Sequence, residues 1–362
     1  YNATGKTKLL EVATRCANLM AGYMGAFPKK NVVPAHSGPE EALVKLYIIY
    51  KNNPELKKQI NVPVAEQDYL KLAEFWIDGR GHHCGFPLLG TGGSPSADQW
   101  IRDRKYDAPE FGNHTRPSWG DYAQDSIPLF EQKTIEGHAV RATLFATGAT
   151  AAALENHSPE YIAAVSRLWD NMIGKRMFIT GGVGAVHFDE KFGPDYFLPT
   201  DAYLETCAAV GAGFFSQRMN ELTGDAKYMD ELERTLYNNV LTGISLSGTQ
   251  YTYQNPLNSA KHARWSWHDC PCCPPMFLKM MSAMPGFIYS QKGSDVYVNL
   301  FVGSETEMTL ADRNRVRLTQ KTGYPWEGVV TMTVEPEKEK TFILKVRIPG
   351  WAQGVENPYG LY

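Results

Sequence analysis

The sequence predicts a mainly helical fold, a toroid of helix hairpins over residues 1–290, followed by a β-sandwich domain over 291–362. Three observations lead there. From about residue 5 to 290 the apolar residues recur at helical spacing. After Gly293 the period changes from 3.6 to 2, the signature of half-buried strands. A single pattern also echoes through the helical region: an apolar helix, a short polar turn, a tyrosine-led helix and a glycine, at Tyr69 with Gly79, Tyr161 with Gly181, and Tyr228 with Gly243. Repeated hairpins of this kind, here irregularly spaced, build a toroid of paired helices.

Helices are expected from Glu40 to Tyr50, Gln67 to Asp78, Gly137 to Leu154, Pro159 to Ile173, Tyr203 to Leu222, Ala226 to Leu241 and Pro274 to Tyr289. Between the second and third lies His82 to Asp125, irregular and rich in Gly, Pro, Ser and Asp, a length that marks a functional or mobile loop. Its His82, His83 and Cys84 form either a metal-binding cluster or an ordinary surface loop. Strands follow in D-V-Y-V-N-L-F-V, E-T-E-M-T-L, R-V-R-L-T, G-V-V-T-M-T-V and F-I-L-K-V-R-I-P, separated by Gly, Pro and charged turns.

Bulk properties narrow the function. At 362 residues the chain is long enough for more than one domain, and a formal net charge of -3 leaves no electrostatic footprint for nucleic acid. No run approaches the ~18 apolar residues of a spanning helix. The chain opens on Tyr1 without a secretory leader and reads as a trimmed segment. Its cysteine spacings suit metal binding and not a disulfide framework, so the expected compartment is the cytoplasm, with the periplasm as the alternative. Aromatics make up 12% of the residues, including 8 Trp and 19 Tyr, side chains that suit sugar rings when they are not simply core.

The chemistry concentrates around cysteine. Cys270, Cys272 and Cys273 fall in W-H-D-C-P-C-C-P-P-M, and adjacent cysteines direct two soft sulfurs into one small volume. Glu205 and Cys207 in L-E-T-C-A-A-V complete a tetrahedral zinc shell with Cys272 and Cys273, three sulfurs and one carboxylate. The plain reading is a closed structural zinc site. Against it, a carboxylate ligand can swing off the metal, and a zinc-bound thiolate in a pocket is also an activated nucleophile. Three further segments stand out: T-G-G-V-G-A-V-H-F-D-E-K-F-G, which presents Glu190; E-G-H-A-V-R, with His138 in the first turn of a helix; and Y-T-Y-Q-N-P-L, with Tyr253. No strand precedes the glycine-rich segment, so its glycines serve close backbone approach to a ligand better than a phosphate loop. His138 taken alone reads equally as a cap or packing residue.

E-G-H-A-V-R, G-G-V-G-A-V-H-F-D-E-K-F, D-Y-F-L-P-T-D-A-Y-L-E-T-C-A, Y-Q-N-P-L and C-P-C-C-P-P, in this order, resemble glycoside hydrolase family 127 and its relative family 146, typified by β-L-arabinofuranosidases. The resemblance runs from about His36 to the end of the chain. It implies an (α/α)6 barrel, with further helices ahead of Tyr1, followed by β-sandwich modules. It also implies Zn2+ held by Glu205, Cys207, Cys272 and Cys273, with Cys272 as nucleophile and Glu190 as general acid/base. His138, Tyr253 and His36, the last in P-A-H-S-G-P-E-E, match sugar-contacting positions, and Cys270 matches a cysteine beside the metal that is not a ligand. Met276 and Lys279 depart from the family's Asn and Arg, and Asp189 stands where glycine is common.

The activity so implied is a zinc-dependent retaining exo-glycosidase releasing terminal β-L-arabinofuranose or a related sugar from plant cell-wall glycans. Zinc would keep the Cys272 thiolate deprotonated and stabilise it as a leaving group. Glu190, which must start protonated, is expected in a partly buried site with a raised pKa. The alternatives are an uronyl hydrolase or lyase on the same toroid, which needs no thiolate zinc, and a non-catalytic carbohydrate-binding or scaffold protein with a structural zinc. The expected partners are an oligosaccharide or glycan and a second copy in a homodimer, with neither nucleic acid nor membrane.

Overall fold

The computed structural model describes residues 1–26, 28–82, 120–260 and 263–354. Among them the main helices are α1 (Lys8–Tyr23), α2 (Pro39–Asn52), α3 (Glu66–Gly79), α4 (Ala139–Asn156), α5 (Pro159–Asn171), α6 (Thr206–Thr223), α7 (Lys227–Thr235) and α8 (Cys273–Ala283). Helical periodicity located all of these but α1, which was not among the expected helices, and local chemistry moved their ends. The helix expected from Tyr203 starts only at Thr206, because Leu204 is left-handed (φ 46°) and the Tyr203 and Leu204 N–H groups bond to Ala185 and Gly184. The run expected to reach Leu241 loosens after Thr235 into a π-helical turn, Leu236–Val240. The helix expected through Tyr289 breaks after Ala283, where Pro285 has no N–H to continue the ladder, and Tyr289 opens a strand instead.

The helices form two layers. In α4 and in α6, each 18 residues long, buried positions run all round the helix and not along one stripe. Both are rich in Ala, Gly and Thr, which lets them approach closely; a Cβ on Gly211 of α6 would lie 2.1 Å from the Thr143 hydroxyl of α4. The buried hydroxyls of Thr143, Thr147 and Thr150 are satisfied by carbonyls of the preceding turn. Inner helix α4 packs between α2 and α6, and α6 packs on α8. Behind them α3 backs α2, α5 backs α4 and α7 backs α6. The outer helix α5 accordingly buries a single stripe, Tyr161, Ala164, Val165, Leu168 and Trp169. This inner and outer pairing is the hairpin architecture read from the sequence.

Among the described residues the period-2 segments form two three-stranded sheets, β1 (Tyr289–Lys292), β2 (Asp295–Val298) and β6 (Leu344–Val346) in one, and β3 (Ser304–Thr309), β4 (Arg315–Thr322) and β5 (Val330–Pro336) in the other. Val296 of the first sheet packs with Val316 and Leu318 of the second in a shared core. Arg347 ties these sheets to the helices: its guanidinium meets Asp230 at 2.5 Å and Glu233 of α7 at 2.6 Å, and its Nε donates to the Asn299 carbonyl at 2.6 Å. Arg347 and Glu233 are both buried. Arg347→Met would strand a buried carboxylate and is expected to cost about 3–5 kcal/mol, read as a lower denaturant midpoint. A midpoint equal to that of the parent protein would show that the junction is held by its apolar contacts alone.

Candidate active site

The inner helices begin at one place. His138 is the N-cap of α4, Glu205 of α6 and Cys272 of α8, while His36 lies just ahead of α2. Helix N-termini carry unpaired N–H groups and the positive end of the dipole, so carboxylates and thiolates are favoured there. Gly137 makes the first of these helix starts possible. Its φ of +77° is left-handed, and a Cβ would sit 2.0 Å from the Asp121 carbonyl oxygen.

Cys207, in the first turn of α6, meets the two cysteines at the start of α8. Its sulfur lies 3.4 Å from Cys272 and 3.5 Å from Cys273; those two are 3.8 Å apart, and Cys272 Sγ is 3.5 Å from Glu205 Oε1. Sulfurs bound tetrahedrally to one zinc at about 2.3 Å would sit about 3.8 Å from one another, so the spacing suits a shared ion. The donor set fits on charge as well. Glu205 Oε2 is buried with no hydrogen-bond partner. Burial, reinforced by the Glu190 charge, pushes the Glu205 carboxyl well above its ordinary range, so a cation beside it would favour its charged form. Hydrogen bonds from Cys207 and Cys273 draw one thiolate charge onto Cys272, whose pKa falls to about 2 against the effect of burial, while Cys207 and Cys273 are pushed up. Cys270 is exposed and stands outside this four-atom group.

Beside the sulfurs stands a second centre. His138 Nδ1 accepts from the Arg141 N–H at 3.2 Å, which leaves the ring proton on Nε2 to donate to Glu190 Oε2 at 2.7 Å. Tyr203 Oη donates to Glu190 Oε1 at 2.6 Å, and Tyr253 Oη lies 3.4 Å from the same oxygen. Tyr253 also stands beside Cys272 and favours its thiolate, so it links the two centres. Ligating atoms of His138, Glu190 and Glu205 all fall within 4.8 Å of one another.

Glu190 departs from expectation in one respect. Burial does push its carboxyl up, as anticipated, but hydrogen bonds from His138 and Tyr203 outweigh burial and hold it below the ordinary value. Without a ligand it is a carboxylate. Its backbone is also left-handed (φ 53°), as is that of Asp189 (φ 55°), and such positions cost a non-glycine residue about 1–2 kcal/mol each. A glycine would suit position 189 for that reason. Paired Val186 and Lys191 backbone bonds of 3.0 and 3.1 Å, and a Phe192 N–H bond of 3.0 Å to the Gly137 carbonyl, hold the loop closed.

His36 joins the site from the α2 side, its ring centroid 6.2 Å from that of His138. Burial lowers its pKa and keeps it neutral. The segment is anchored by Arg80, which pairs with Glu40 at 2.6 Å and donates to the Pro34 carbonyl at 2.8 Å. Thus His36, His138, Glu190, Glu205, Cys207, Tyr253, Cys272 and Cys273, drawn from separate segments, lie in one neighbourhood. The proposed His83 and Cys84 metal ligands lie outside the described residues. Three neighbours were not singled out from sequence. Tyr203 clamps Glu190, and Trp265 and His268, stacked at 4.4 Å, back the Tyr253 ring. Tyr203 stands two positions before Glu205 in D-A-Y-L-E-T-C, and W-S-W-H-D-C abuts the cysteines, which was the available signal.

A two-layered helical domain in which the inner-helix starts and the 186–191 loop bring a clamped carboxylate beside a thiolate cluster has the paired acid/base group and nucleophile that hydrolytic sites combine. Residues 1–286 match the β-L-arabinofuranosidase GH127 catalytic domain, and residues 295–357 match the GH127 middle domain. The chain belongs to glycoside hydrolase family 127. A curated relative, the non-reducing end β-L-arabinofuranosidase of Bifidobacterium longum subsp. longum, is 29% identical over 98% of the chain and 52% of its own length. A solved GH127 β-arabinofuranosidase superposes with a TM-score of 0.81 at 35% identity, over 99% of this chain and 49% of that one. The GH127 β-L-arabinofuranosidase of Geobacillus stearothermophilus T6 gives 0.81 at 34% identity, over 97% and 53%. The chain therefore spans about half the length of these relatives. Among the described residues, no helix is long and apolar enough to cross a membrane.

Proposed function

We propose that the protein is a retaining exo-glycosidase that removes terminal β-L-arabinofuranose, or a closely related sugar, from plant cell-wall glycans, with Cys272 as nucleophile and Glu190 as acid/base. The observation that carries this reading is the contact between the two centres: Tyr253 reaches both Glu190 and Cys272, so an anomeric carbon placed beside the sulfur has the carboxyl within range of its leaving oxygen. The family membership supports the sugar.

In the first step the Cys272 sulfur bonds to the anomeric carbon, the glycosidic C–O bond breaks, and the Glu190 proton passes to the departing oxygen. A sugar seated against Glu190 deepens its burial, the influence that already raises it, and so favours the protonated form this step needs. In the second step Glu190, again a carboxylate, takes a proton from water, the water oxygen bonds to the anomeric carbon, and Cys272 leaves as thiolate. Two displacements retain the configuration. His138 and Tyr203 hold the Glu190 carboxylate in its base form, and His36 and Tyr253 line the sugar's position. Glu205, Cys207, Cys272 and Cys273 would hold zinc, which when bound supplies positive charge that keeps the sulfurs deprotonated and eases thiolate departure.

The test is hydrolysis of a panel of aryl furanosides and pyranosides by zinc-loaded protein, with the anomer of the released sugar followed by NMR. Turnover of the β-L-arabinofuranoside with retention is expected; intact zinc without turnover of any member would favour a structural metal in a binding protein. Metal analysis should give one zinc per chain. Cys207→Ser should lower that content and the Tm together, since an ion at a hundredfold excess over its Kd contributes about 2.7 kcal/mol to the folded state.

A further inference from the structure

A cleft of about 960 Å³ lies between the helical layer and the sheets, and its lining includes none of the residues assigned to the active site. It is at the upper end of the range for small-molecule sites, about 300–1,000 Å³. Its long wall runs from Lys227 on α7 to Leu241, beyond the π-helical turn, roughly 20 Å at about 1.5 Å per residue. That turn presents Tyr237 and Asn238 to the cleft, and π-turns gather at functional sites. From the connection between β4 and β5 come Tyr324 and Trp326, and from a short 3-10 turn after β6 comes Trp351. Trp326 is 92% exposed and Trp351 55%, so the core does not account for either side chain.

From these features we infer that the cleft is a second carbohydrate-binding site, which holds a neutral oligosaccharide away from the catalytic centre. Aromatic faces offer apolar surface to sugar rings, and the polar groups between them offer hydrogen bonds to hydroxyls. Glu231 is 1% exposed, and its Oε2 makes no hydrogen bond, with Arg234 Nε 3.6 Å away, so it presents an acceptor for a sugar hydroxyl. Burial raises its pKa to about 7. The same polar lining, Asp230, Glu231 and Glu233 beside Lys227 and Arg234, argues against a protein occupant, because the centres of protein interfaces are depleted of charge. With Arg347 paired to Asp230 and Glu233, and Arg234 beside Glu231, the wall carries no surplus of positive charge to hold a polyanionic glycan.

Affinity electrophoresis through gels containing neutral arabinan, neutral arabinoxylan or polygalacturonate tests the assignment, using the parent protein, Trp326→Ala, Trp351→Ala and Glu190→Gln. At least one neutral polymer should retard the parent, and polygalacturonate should not. Each tryptophan variant should weaken Kd about tenfold or more while hydrolysing a small aryl glycoside like the parent. Glu190→Gln should be retarded as the parent is, which separates this site from the catalytic reading whatever becomes of that reading. Melting curves confirm that the variants fold, and Trp326, being exposed, carries the test if Trp351→Ala does not. Several results overturn the inference: no retardation by either neutral polymer, retardation only by the polyanion, retardation unchanged in Trp326→Ala, or a parent dimer that Trp326→Ala dissociates.

Discussion

Cys272→Ala is expected to lower kcat/KM on an aryl β-L-arabinofuranoside by about 10⁴-fold or more, the scale seen when a catalytic nucleophile is removed. Loss of activity alone would not separate nucleophile from ligand, since any change in the sulfur cluster disturbs a bound ion. The decisive result is covalent. An electrophilic furanose analogue should label Cys272 and leave Cys207 and Cys273 unmodified, with the metal retained. Cys207 and Cys273 are almost wholly buried, whereas Cys272 is partly open, carries the thiolate charge and faces Tyr253. Only one sulfur can meet the anomeric carbon at a near-attack distance of about 3–3.5 Å opposite the leaving group. Peptide mapping after inactivation reads the site. An adduct on Glu205 would replace the thiolate mechanism with the ordinary pair of carboxylates.

Glu190→Gln should lower turnover of substrates with poor leaving groups by about 10²–10⁴-fold, the usual contribution of a general acid. Aryl glycosides with acidic phenols need little protonation, so their first step should suffer less, and glycosyl-enzyme should accumulate because the second step still needs a base. Glutamine can keep the hydrogen bond from Tyr203 and leaves the zinc ligands untouched, so metal content and melting temperature should match the parent. An equal loss on both substrate classes, accompanied by lower zinc content, would mean that Glu190 supports the site structurally.

The amino-acid sequence by itself determined the two regimes of secondary structure, because helix and strand periods are local properties of apolar spacing. It also marked the thiolate cluster, because adjacent cysteines with a distant Glu-x-Cys have few chemical uses besides a metal. The clamp on Glu190 was decided only in three dimensions. Tyr203 and His138 are far apart along the chain and reach the same carboxylate because α4 and α6 start side by side and the 186–191 loop, left-handed at Asp189 and Glu190, is held between them. For that reason the pKa expectation failed in sign: partial burial could be anticipated from composition, whereas the donors that overcome it depend on which backbone termini meet. The junction made by Arg347 with Asp230 and Glu233 is of the same kind. An isolated arginine in a strand-like run has no visible partner until tertiary packing removes water from both and leaves a buried charge that only the other can balance.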